Sequence, residues 1–257
     1  MTSSQSDTSS AGATSITATL PGTATAGEYL LASITIQTAP DSNCTAPGLP
    51  FACCTGAGTG TCPDAGTATT VPPSDATCSG SQAPDSCCTG NGTGTCNWTL
   101  LRKASCGNDL QVSIYGKLVQ AGENSTTSYT WNFSAAGNPA TFLGVAGLIG
   151  VSNAGANPVR AVTHQCNLDS TALTAPSVRT TRNNTLDLLL YSIGGNNSVA
   201  TPSGYSLIYQ HAVEEYGPDA QADELVIMKP QATGDQVATA IAPGDSLGFQ
   251  LAISPLR

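Results

Sequence analysis

Apolar and polar positions alternate with a period of two along most of this chain. Leu110-Gln-Val-Ser-Ile-Tyr and Tyr129-Thr-Trp-Asn-Phe put apolar side chains on one face and polar ones on the other, the pattern of a half-buried β-strand. Comparable runs lie at 15–20, 29–37, 98–103, 110–119, 129–134, 140–151, 177–180, 186–193, 205–211, 225–229, 236–241 and 247–253, and Gly-, Asn-, Asp- and Pro-containing turns separate them. That spacing predicts an all-β fold, a jelly-roll-like antiparallel β-sandwich.

The two halves of the chain look alike. In the first, Ala26-Gly-Glu-Tyr-Leu-Leu-Ala-Ser-Ile is followed, after a long interruption, by Asn97-Trp-Thr-Leu-Leu-Arg and Leu110-Gln-Val-Ser-Ile-Tyr-Gly-Lys. In the second, Asn183-Asn-Thr-Leu-Asp-Leu-Leu-Leu-Tyr-Ser-Ile is followed by Pro202-Ser-Gly-Tyr-Ser-Leu-Ile-Tyr and Glu224-Leu-Val-Ile-Met-Lys. Each set closes on a strand after a turn, at 128–133 and 245–253. Two similar strand sets packed face to face make one sandwich, so residues 15–257 read as a single unit, a length that all-β domains reach. Residues 1–14, mostly Ser, Thr, Ala and Gly, read as a flexible N-terminal arm.

Residues 38–96 break the alternation. They stand where the second half has the short loop 194–201, so they read as a loop insert in a surface turn, where added length costs little. The insert carries eight of the ten cysteines in two repeats, 44–62 and 78–96. Cys44, Cys53, Cys54 and Cys62 follow the pattern C-x8-CC-x7-C, and Cys78, Cys87, Cys88 and Cys96 repeat it 34 residues later. Cysteine at this density points to oxidising surroundings. Four cysteines with no core of their own predict two disulfides per repeat; four permit three connectivities, and adjacent Cys53 and Cys54 are expected to take partners from Cys44 and Cys62 rather than from each other. A four-cysteine zinc site is the second reading, weakened by the lack of C-x2-C spacing. A redox pair is the third, weakened by the lack of C-x-x-C. Cys106 and Cys166 lie outside the insert and predict one bridge between the two halves. The insert is poor in apolar side chains and is expected to project outward rather than to bury an interface.

Charge narrows the partners. Charged residues make up 10% of the chain, and eight Lys and Arg against seventeen Asp and Glu give a net charge of −9. No basic stripe exists for nucleic acid, and anionic membrane surfaces are disfavoured for the same reason. The longest apolar run, 140–151, is too short to span a bilayer. The first 18 residues lack the basic and apolar regions of a secretory signal: either a signal was removed, or the chain leaves the cell by lysis or within a particle, and the initiating Met favours the second.

Candidate chemistry is thin. His164 and His211 sit in no metal-ligand motif and near no nucleophile elbow. The glycines at 56, 58, 60, 90, 92 and 94 lack the Lys and the following helix of a phosphate loop. Glu214, Glu215, Asp219, Asp223 and Glu224 cluster within eleven residues and read as a solvated acidic loop. A calcium site is the alternative, although the spacing fits no EF-hand. Trp98 and Trp131 fall on apolar strand faces and read as core. No catalytic residue, cofactor or metal ligand is predicted.

The runs Ile16-Thr-Ala-Thr-Leu-Pro, Gly27-Glu-Tyr-Leu-Leu-Ala, Trp98-Thr-Leu-Leu-Arg, Tyr129-Thr-Trp-Asn-Phe and Thr141-Phe-Leu-Gly-Val-Ala-Gly together resemble a jelly-roll-like β-sandwich domain of bacterial secreted proteins and tailed-phage virion proteins. Leu49-Pro-Phe-Ala-Cys-Cys-Thr-Gly resembles a Cys-Cys-Thr-Gly motif of phage structural proteins. The resemblance implies a non-enzymatic virion protein, a capsid decoration (cement) protein or a head or tail fibre component. Its place would be the virion surface or otherwise extracellular. Its partners would be itself, as a homo-oligomer, and a major capsid or other virion protein. The alternative is a bacterial extracellular surface or filament-forming adhesin, or a carbohydrate-binding module with a host-surface glycan as ligand.

Overall fold

Residues 2–8, 15–19, 25–38, 98–107, 110–119, 128–132, 142–152, 154–195, 197–213 and 217–255 are described by a computed structural model. Among these residues there are thirteen strands and no helix. In the first half they are β1 (Thr2–Thr8), β2 (Ser15–Thr19), β3 (Tyr29–Thr38), β4 (Thr99–Cys106), β5 (Leu110–Leu118), β6 (Ser128–Asn132) and β7 (Phe142–Val151). The second half holds β8 (Ala154–Ala175), β9 (Thr185–Ile193), β10 (Val199–Ala200), β11 (Ser206–Ala212), β12 (Asp219–Ile227) and β13 (Gln236–Pro255).

Strand order bears out the two-fold reading of the sequence. The first sheet runs β1-β7-β3-β5-β4, and the second runs β13-β9-β12-β11 with β8 on the far side of β13 and β10 at its early residues. Every pairing is antiparallel. The correspondence extends to a second layer. β2 pairs with β6 outside the first sheet. In the second half the same ribbon is made by residues 170–175 of β8 and 236–244 of β13, continuous with the sheet strands. The alternation predicts two strands, at 236–241 and 247–253. They are one strand with register shifts between Thr239 and Ser246, where Pro243 has no N–H to give to a ladder. The fourth equivalent of β13 is therefore β6 together with β7, rather than 128–133 alone.

The N-terminal arm expected at 1–14 is, over Thr2–Thr8, a strand in ladder with Gly144–Gly150 of β7. A strand of Thr, Ser, Gln and Asp carries no apolar alternation, so the sequence pattern gives no sign of it. Residues 9–14 lie outside the described residues. The predicted strand at 177–180 reduces to one bridge, Arg179 to Ala232.

The strand ends that flank the insert are not placed as those of a tight turn. β3 and β4 both run antiparallel to β5, so they are parallel to each other with β5 between them. β3 leaves the sheet beside Leu110, whereas β4 enters it beside Gly116. The end of β3 and the start of β4 therefore lie at opposite ends of β5, and parallel strands need a crossover to join them. In the second half the link 194–205 from β9 to β11 makes the same crossover, with β12 between. Residues 39–97, with the eight cysteines Cys44 to Cys96 and the expected outward projection, lie outside the described residues.

The two sheets face each other across a core of Leu31, Val112, Ile114, Val145 and Ile149 from one and Leu188, Leu190, Leu247, Phe249 and Leu251 from the other. On each outer face a separate apolar cluster seats the covering ribbon. Gly248 shows how close that layer lies: a Cβ there would come within 2.3 Å of the Thr174 carbonyl oxygen. At the centre of the sandwich Thr35 Oγ1 and Ser192 Oγ share a buried hydrogen bond of 2.7 Å. Removing one partner strands the other in apolar surroundings, whereas removing both does not. We expect Thr35→Val or Ser192→Ala alone to cost about 1–2 kcal/mol, and the double variant to cost less than their sum, as read by a denaturant double-mutant cycle.

Candidate functional site

The second sheet carries its polar residues on its outer face, yet that face is covered. In β9, Leu186, Leu188 and Leu190 point into the sandwich core, so Asp187, Leu189, Tyr191 and Ile193 point outward. In β12, Ala220 and Ala222 face the core, so Asp219, Gln221 and Asp223 share the outer face with Asp187. That face would meet water in an ordinary antiparallel sheet. Here the ribbon and the 199–205 crossover fold over it, and Asp187, Asp219, Asp223, Gln221 and Gln250 are all buried.

The trapped groups form a network of carboxyls, amides and phenols. Asp187 Oδ2 accepts from the Tyr205 hydroxyl at 2.6 Å and from Gln250 Nε2 at 2.8 Å. Asp223 Oδ2 accepts from Gln221 Nε2 at 2.7 Å, and the same amide reaches Thr201 Oγ1 at 3.4 Å. Asp219 Oδ2 accepts from Gln210 Nε2 at 3.3 Å, and that amide also donates to the Val199 carbonyl at 3.1 Å. Burial raises Asp219 to about 7 against the lowering pull of Gln210 and His211. Burial also raises Asp187 and Asp223, in each case against hydrogen bonds that pull the other way. Tyr191 is held far above its ordinary value by burial, with Asp223 and Asp187 adding to it.

The solvated acidic loop expected at 214–224 is thus corrected over its second part. Asp219 and Asp223 lie within a central strand, and the run Asp219-Ala-Gln-Ala-Asp alternates polar and small residues because both of its faces are covered. Glu214 and Glu215 lie outside the described residues. Among the described residues no group of three or more His, Cys, Asp or Glu is placed to hold a metal ion.

Of the ten candidate cysteines, Cys106 and Cys166 are described. They form the expected bridge between the halves, with Cα atoms 5.1 Å apart, tying β4 of one sheet to β8 of the other. Beside it, Gly107 turns the chain at φ +60°, and its Cα faces the Asp245 carboxyl so closely that a Cβ would not fit. Asp245 Oδ1 accepts from the Asp169 amide at 2.9 Å, so this corner is braced by a hydrogen bond as well as the disulfide.

His164 stacks on Phe249 with ring centroids 5.5 Å apart and accepts at Nδ1 from Arg102 Nε at 3.1 Å. Burial and the Arg102 charge hold it below the ordinary imidazole value. A neutral imidazole in that setting serves as a packing and hydrogen-bonding element between sheets. Trp98 is buried on the outer face of the first sheet, edge-on to Tyr129 at 5.2 Å, and the Lys117 ammonium lies 5.9 and 5.2 Å from their two rings. Trp98 enters β4 just as Tyr205 enters β11, and each aromatic seats the end of a crossover. The Trp131 backbone pairs with Ile16, and its side chain lies outside the described residues.

No family model, no curated protein and no solved structure matches this chain.

Proposed function

We propose that this chain is a structural protein of a tailed-phage virion, a capsid decoration or head or tail fibre component that works by mechanical attachment rather than by catalysis. The observation that supports it is the covalent tie between the two halves of a sandwich with duplicated strand order: Cys106–Cys166 holds together the two sheets that a pull on the chain would separate. The low charge, the cysteine-rich insert and the Cys-Cys-Thr-Gly resemblance agree with an extracellular particle surface. The test is quantitative mass spectrometry of purified particles. We expect this chain in many copies per particle, bound through washing in salt. Recovery only as a free monomer in the medium would overturn the proposal.

The adhesin or carbohydrate-binding reading needs an aromatic platform open to solvent. Trp98, one of the two tryptophans, is instead packed against Tyr129.

A further inference from the structure

We propose that the covered outer face of the second sheet is a proton-binding site: Asp219, with Asp187 and Asp223 on the same face, holds protons more tightly in the folded chain than in the unfolded one, so folding takes up protons. The case rests on an imbalance of donors and acceptors. Each of the three carboxyls is satisfied at Oδ2 and has a buried Oδ1 with no partner. Gln221 Oε1 and Gln250 Oε1 are buried acceptors without partners as well, and so is the Tyr191 hydroxyl oxygen. Five of these six oxygens can only accept. A buried acceptor with no donor is costly, and more so if it is charged. A proton on Oδ1 turns an acceptor into a donor and removes the buried charge.

Among the described residues no Lys or Arg bears on the three acids to stabilise their ionised forms. Facing the acids are Tyr191 on β9, Gln210 and His211 on β11, Gln221 on β12, Gln250 on β13, and Thr201 and Tyr205 on the crossover. His211 is the one base among them, and it bears on Asp219 alone. Arg160, Arg179 and Lys229 are exposed, and Arg182 is only partly buried. Uncompensated buried charge is expensive enough that a group gives up its ionisation instead. The upward shifts at Asp219, Asp187 and Asp223 agree with this geometry.

The sign follows from linkage. Where the folded chain holds protons that the unfolded chain has released, unfolding free energy falls as pH rises. An unfolded Asp titrates near 3.9, and Asp219 in the fold near 7. Its contribution is therefore full below about pH 4 and is lost as pH climbs through about 7, with Asp187 and Asp223 changing in the same direction.

The experiment is urea unfolding of the full chain between about pH 5 and 8, with infrared spectra of the folded protein at neutral pD. We expect the wild-type midpoint to fall as pH rises, a protonated-carboxyl band at neutral pD, and proton release on unfolding. Asp223→Asn and Asp219→Asn, read separately so that one misfolded variant does not decide the matter, should flatten the pH profile, weaken the band and hold or raise the midpoint at pH 8. An absent carboxyl band, or Asn variants that lose stability chiefly at pH 8, would show that the carboxylates are ionised and needed as such. A midpoint at pH 8 that rises with added calcium and returns with EDTA would show that a cation meets these oxygens, and would also overturn the proton assignment.

Discussion

Replacing residues 39–97 with a two-residue turn is expected to abolish folding, whereas replacing them with a twelve-residue link copied from 194–205 preserves the sandwich. β3 ends one residue past the pairing of Gln37 with Leu110, and β4 begins opposite Gly116. At about 3.3 Å per residue along the sheet and about 4.8 Å per strand across it, the two ends are roughly 25 Å apart. A fully extended chain gains at most about 3.6 Å per residue, so at least seven residues are needed. A two-residue turn falls far short and would force β3 or β4 out of the sheet. The 194–205 link closes the equivalent gap in the second half, from Ile193 beside Asp219 to Ser206 beside Glu224. Far-ultraviolet circular dichroism and thermal melting distinguish the two variants. A two-residue replacement that melts like the full chain would mean that β3 and β4 are not joined by a crossover.

Breaking the Cys106–Cys166 bridge is the second large effect. The bridge closes a loop of 60 residues, which in the chain-entropy model is worth about 4 kcal/mol. For a domain of this size that loss lowers the melting temperature by roughly 10 °C. Cys106→Ala with Cys166→Ala should therefore melt earlier by about that amount and remain folded at 25 °C, because the inter-sheet core of Leu188, Phe249 and their neighbours does not depend on the bridge. Reductant acts on all the bridges of the chain, so the double variant isolates this one. If calorimetry found the variant as stable as the wild type, the two halves would be held by packing alone, and the mechanical reading would lose its support.

Much of this fold is legible in the sequence. Strong alternation in Leu110-Gln-Val-Ser-Ile-Tyr and the leucines of 186–190 mark strands that bury one face in the inter-sheet core, where periodicity is most faithful. The likeness of the two halves is visible because equivalent strands meet equivalent neighbours. The bridge from Cys106 to Cys166 follows from counting cysteines outside the insert. Elements whose environment is set by another layer are missed. β8 is 22 residues long, yet Ala154-Gly-Ala-Asn-Pro-Val reads as loop because its partner β13, not its own hydrophobicity, holds it. β12 begins at Asp219, where acids suggest solvent. Only the ribbon and crossover above it, which no local pattern announces, turn that face into an interior. The span of the insert is hidden for a related reason: the sequence shows that something long joins β3 to β4, but not that β5 lies between them.

An image reconstruction of purified particles, with this chain placed in the density, tests the virion proposal most directly. Repeated copies of a two-sheet sandwich are expected at regular positions on the head or tail, with Cys106 and Cys166 bridged within each copy. Particles whose density has no place for the sandwich, while the chain is recovered as a free monomer, would contradict it.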